Sequence, residues 1–165
     1  MPSTYFDTLM RHHAWAVERL LDTAALLSPA QLESNGLSHG SLLATLRHVA
    51  DVDQSWGRAA RGLPVLDLER MTEQLVDLPS LHAFWLAEVA ALVDFASSLT
   101  RADLDRDVQP PWKRDAYTVW QILTHISDHR AEHGNQIGWR LTALGHSPGG
   151  MSFMGFVDMQ RRGSV

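Results

Sequence analysis

The sequence predicts an all-α fold, a four-helix bundle with long crossover connections. Three observations predict it. Four long stretches carry apolar residues at three- and four-residue steps, as helices buried along one side do. Period-two alternation, the mark of half-buried strands, is scarce. The links between the stretches are punctuated by Gly and Pro and are long enough to cross a bundle. The 165 residues suit one domain spanning 1–165, with no repeat, low-complexity segment or linker to divide it.

Tyr5–Leu27 reads as the first helix, with Phe6, Leu9, Met10, His13, Val17, Leu20, Leu21 and Ala24 on one stripe and Ser28-Pro29 as its stop. His13 lies on that stripe and reads as a hydrogen-bonded core histidine. Pro29–Gly40 is a connector with turn signals at Asn35-Gly36 and Gly40. The second helix runs from about Ser41 to Arg61, with Leu42, Leu46, Val49, Asp53 and Trp56 as its stripe and His48 at the stripe's edge. Pro64–Pro79 is a longer connector with a helical turn near Leu68–Leu75. The third helix covers about Ser80–Leu99. Glu88 falls on its apolar stripe, where a carboxylate needs a partner; an arginine is the simpler one, a metal-bound histidine the other. Arg101–Ala116 is irregular, because Gln109-Pro110-Pro111-Trp112 cannot be helix interior. Trp112 there packs on the bundle or covers an apolar site. The fourth helix spans about Tyr117–Leu144, ended by Gly145 and Pro148. Gly134 and Gly138 within it suggest close helix approach. The tail, residues 149–165, is expected to form a short helix, dock on the bundle or meet another subunit.

Composition excludes several classes. The net charge of −5 argues against a nucleic-acid partner. With no cysteine there are no disulfides, thiolate metal sites or cysteine nucleophiles. No signal-peptide core and no run of about 18 apolar residues is present, so no membrane span and a cytoplasmic location are expected. Phosphate-loop, dinucleotide and nucleophile-elbow motifs are missing. His129-Arg130-Ala131-Glu132-His133 is not the zincin pattern, which disfavours a protease.

The chemistry concentrates in Leu123–Ile137, where His125, His129 and His133 recur every four residues. On a helix such residues stand one turn apart, about 5–6 Å between Cβ atoms. Two imidazoles so placed can converge on one ion at about 2.0–2.1 Å. The direction drifts by about 80° from His125 to His133. One adjacent pair is therefore the chelate, and a third ligand comes from elsewhere; His48 is the candidate. Three neutral imidazoles leave a position open on a strong Lewis acid. Such an ion can lower the pKa of bound water toward about 7, or hold a substrate thiol as thiolate. Zinc is the default ion, with nickel, iron, manganese and cobalt as alternatives.

Trp15 with Glu18-Arg19-Leu20-Leu21, Gly40-Ser41-Leu42 through His48 to Asp51, and Leu123-x-His125-x-x-x-His129-x-x-x-His133-x-x-Gln136-Ile137 together resemble the DinB/YfiT-like superfamily of small metal-binding bundles. The resemblance covers nearly the whole chain. It implies His48, His129 and His133 as metal ligands and leaves His125 as a non-ligating neighbour. It implies a small-molecule substrate, a homodimer, and for some relatives a low-molecular-weight thiol cosubstrate. The best functional expectation is a thiol-dependent S-transferase. The alternatives are a hydrolase using metal-bound water, a non-enzymatic metal-binding stress-response bundle, and a bundle without metal. One departure is clear: relatives show Arg-Gly-Gln after the last histidine, and here Gly134-Asn135-Gln136 stands. A role of that arginine in relatives does not carry over.

Overall fold

The computed structural model describes residues 3–163; the ends of the expected domain, 1–2 and 164–165, lie outside the described residues. Four long helices form the bundle: α1 (Ser3–Ala24), α3 (Leu42–Ala60), α5 (Leu78–Ser98) and α7 (Val119–Ala143). Between them come α2 (Pro29–Leu32), the hairpin strands β1 (Asn35–Leu37) and β2 (Gly40–Ser41), and α4 (Leu68–Gln74). Then follow α6 (Arg101–Leu104), β3 (Asp107–Val108), β4 (Tyr117–Thr118) and, after α7, α8 (Phe153–Arg161). The two strand pairs, each antiparallel, were not expected from sequence. They are too short for period-two alternation to show.

Local chemistry sets the helix limits. α1 ends at Ala24 rather than Leu27 because Leu26 and Leu27 bond back three residues instead of four. Ser28 then caps α2, and Pro29 opens it. α5 starts two residues before the expected Ser80. The Asp77 side chain accepts from Ser80 N–H at 2.9 Å, and Pro79 needs no donor in a first turn.

α1 packs on α5 and α7, and α3 packs on the same two helices. One apolar cluster joins the C-terminal half of α1 (Val17, Leu20) to the N-terminal halves of α3 (Leu42, Leu46) and α5 (Leu81, Trp85) and to Ile137 and Leu141 of α7. A second joins Phe6, Met10, Ala60, Leu92, Leu123 and Ile126 at the other end. α1 and α7 therefore run one way, α3 and α5 the other. The link from α3 to α5, two parallel neighbours, must return along the bundle, and α4 buries Met71 on the way. The links from α1 to α3 and from α5 to α7 join opposite corners. Crossovers expected at the second and third links are thus present, and the first link crosses as well.

A polar layer separates the two clusters. His13 is fully buried, with Nε2 2.7 Å from Asp53 Oδ2. Trp85 Nε1–H donates to the same oxygen at 2.7 Å. Glu88 meets arginines rather than the histidine cluster. Arg58 Nε donates to its Oε1 at 2.9 Å and Arg61 Nη2 to its Oε2 at 2.7 Å. α5 is long and apolar enough to cross a membrane by length and composition alone. Here it is a bundle helix that carries this ion pair on its packed side.

The glycine expectation needs correcting. A Cβ at Gly134 or Gly138 would meet only ordinary contacts, whereas one at Gly57 would sit 2.8 Å from Leu92 Cδ2. Of these glycines it is Gly57, against the Leu92 side chain of α5, that leaves no room for a Cβ. The tail docks through Phe156, which is buried with its ring centre 5.5 Å from that of Trp15.

Replacing Glu88 with Ala strips two half-buried guanidinium groups of their counter-charge. The expected loss is about 3 kcal/mol of unfolding free energy, read from urea denaturation at neutral pH. A loss under about 0.5 kcal/mol would show that water replaces the carboxylate freely.

Candidate metal centre

α3 and α7 lie side by side, which brings His48 against His129 and His133. The ring centres of His48 and His129, and of His48 and His133, are 4.9 Å apart. Those of His129 and His133 are 4.6 Å apart. His48 Nε2 and His129 Nε2 approach to 3.1 Å. His133 is buried, while His48 and His129 are half-buried.

These distances test whether the donors fit an ion. With metal–nitrogen bonds of about 2.0–2.1 Å, an imidazole centre lies about 3.2 Å from its ion. Two ligands of one ion at 90–109° then have centres about 4.5–5.2 Å apart and nitrogens about 2.9–3.3 Å apart. All three ring separations, and the one nitrogen pair, fall inside those windows. The cluster is compatible with metal binding. Buried Nδ1 atoms of His129 and His133 have no hydrogen-bond partner, so neither ring is held through Nδ1 by a protein acceptor.

A fourth imidazole was missed from sequence. His39 sits in the two-residue turn between β1 and β2. Its ring stacks on His48 at 3.7 Å and 19° and stands 5.1 Å from His133. Nitrogens of His39, His48 and His133 all lie within 4.8 Å of one another. Nitrogen proximity alone would thus select His39 in place of His129. Ring geometry favours His129, because a 3.7 Å stack is too close for two ligands of one ion. A Ser-His-Gly turn nine residues before His48 is the sequence signal that could have flagged His39.

His125 is exposed, its ring centre 5.8 Å from that of His129. It instead begins an aromatic run. His125 lies 4.9 Å from Trp56, and Trp56 lies 5.4 Å from Trp112 and 5.5 Å from Tyr117. Trp112 is 42% exposed, so it leans on Trp56 without being packed into the core. A groove of about 840 Å³ lies elsewhere, lined by His12, Ser127, Arg130, Trp139 and Met151 among others. None of the four clustered histidines lines it.

The whole-chain family model that matches residues 1–164 is that of the DinB family. The chain belongs to the DinB family. It is also similar to the uncharacterized protein YizA of Bacillus subtilis, with 30% identity over 117 residues, 70% of this chain and 72% of that protein. Membership joins the DinB bundle and the histidine cluster into one reading: a metal-associated helical fold with a donor set of the right kind at its middle.

Electrostatics keeps His48 and His129 neutral at pH 7. Burial, then the neighbouring His39 and His133, pushes the His48 pKa down to about 4. Burial, then His133, His48 and His125, does the same to His129, also to about 4. His39 is lowered more weakly, by burial and by His133. In the unfolded chain these groups take protons near pH 6.5. The unfolded state therefore binds more protons as pH falls from about 6.5 toward about 4, and metal-free stability drops through that window. The urea midpoint of metal-free protein should fall steadily from pH 7 to pH 4. The double variant His48→Ala, His129→Ala should show a flatter profile. An equally steep profile in the variant would assign the loss to other groups.

Proposed function

We propose that this chain is a divalent-metal-dependent enzyme acting on small molecules, and specifically a thiol-dependent S-transferase. His48, His129 and His133 would hold the ion. The observation that carries the reading is the mutual spacing of these three rings, 4.6–4.9 Å, which matches ligands of one ion. Zinc is the default, and nickel, iron, manganese or cobalt suit the same imidazoles. When bound, the ion supplies Lewis acidity that holds a thiol in its reactive, deprotonated form.

The chain's own residues would do the rest. His48 and His129, neutral at pH 7, present lone pairs without a proton to displace. His125 and Trp56, then Trp112 and Tyr117, form an aromatic wall leading away from His129. Such a wall suits a flat or apolar electrophile. Lys113 lies 5.6 Å from the Trp56 ring centre, a cation beside that wall for an anionic group on the substrate. Location in the cytoplasm and a homodimeric assembly complete the proposal. Exposed Trp139 and Met154 are apolar surface a second copy can cover.

The test uses tag-free, metal-loaded protein, a panel of cellular thiols and 1-chloro-2,4-dinitrobenzene. At least one thiol should react roughly tenfold faster or more than with His129→Ala, about 1.4 kcal/mol of barrier. No acceleration with any thiol would overturn the transferase reading. Ester turnover without added thiol would replace it with metal-assisted hydrolysis.

A further inference from the structure

We propose that His39 is an exchangeable fourth ligand of the same centre, occupying the open position at rest and leaving it when a thiolate enters. The proposal rests on the reading that His48, His129 and His133 hold an ion. Three observations carry it. The first is proximity: nitrogens of His39, His48 and His133 lie within 4.8 Å of one another. The second is the ring pose. The 3.7 Å stack on His48 is about 1 Å tighter than two ligands of one ion allow. His39 is therefore seen parked on a ligand, and a ring displacement of about 1 Å reaches the spacing of a ligand.

The third observation is how the turn is held. Ser38 Oγ–H donates to Gln136 Oε1 at 2.7 Å, which ties the turn to the helix that carries His129 and His133. Arg140 Nη2 donates to Ser34 Oγ at 2.8 Å, which ties the start of the hairpin to the same helix. At the other side Ser41 caps α3, accepting from Ala44 N–H at 3.1 Å. The backbone around His39 is thus fixed from both sides, while its side chain is exposed. A fixed backbone with an exposed imidazole suits a ligand that comes and goes.

The exchange is a substitution with no change of oxidation state. The bond to the His39 nitrogen breaks, the bond to sulfur forms, and the thiol proton passes to solvent. Its consequence is selectivity: a ligand must bind better than imidazole to gain the position, which favours soft thiolates over water or neutral oxygen donors.

X-ray absorption on zinc-loaded, tag-free protein tests this by counting scatterers. Wild type should show four imidazoles at rest, and three imidazoles with one sulfur after excess 2-mercaptoethanol. His39→Ala should show three imidazoles at rest, with zinc affinity about tenfold weaker. His48→Ala should lose far more affinity. Three imidazoles in resting wild type, with zinc affinity unchanged by His39→Ala, would overturn the fourth ligand and leave the three-histidine reading standing. Retention of all four imidazoles beside a bound sulfur would overturn the exchange. Wild type that takes up no zinc would overturn both readings.

Discussion

His48 and His129 face each other so closely that both cannot carry a proton without cost. Two imidazolium groups at the 3.1 Å separation of the His48 and His129 nitrogens would repel strongly in a half-buried setting. Burial and the neighbouring rings lower the pKa of both to about 4, which removes that charge well before pH 7 is reached from below. The same neutrality makes the rings competent donors. Rings held neutral in this way are suited to a cation, and the packing of α3 on α7 imposes that state on His48 and His129.

The rest of the bundle supports this contact. Two apolar clusters hold the ends, and a polar layer of His13, Asp53 and Trp85 fixes α1, α3 and α5 at the level between them. Asp53 sits five residues after His48 on α3, and its negative charge counters in part the shift of His129. Glu88 clamps α5 to α3 through two arginines. Both carboxylates therefore act on the position of α3, the helix that carries His48. Below the site, Gly57 lets α5 approach α3 closely against Leu92.

Much of this was legible in the chain itself. Stripes such as Phe6–Met10–Val17 and Leu42–Leu46–Val49 located the four long helices to within a few residues. The four-residue repeat His125–His129–His133 marked the chemical helix. His13 as a bonded core histidine and the pairing of Glu88 with arginine followed from the cost of burying polar groups. The short hairpins were invisible, because two or three residues carry no period. His39 was lost with them. The parallel run of α3 and α5 was also unreadable in detail, since a link long enough to cross does not say which corner it reaches.

Sequence by itself determined the helices, the polar positions on their faces and the concentration of histidines, because local periodicity and burial cost are written residue by residue. It also carried the resemblance that singled out His48, His129 and His133. Tertiary structure alone decided that His39 stacks on His48, that Trp56 and Trp112 extend from His125, and that the groove beside Arg130 stands apart from the histidine cluster. Those are meetings between elements far apart in the chain. They depend on bundle direction and corner order, which are set by how whole helices pack and not by any local pattern.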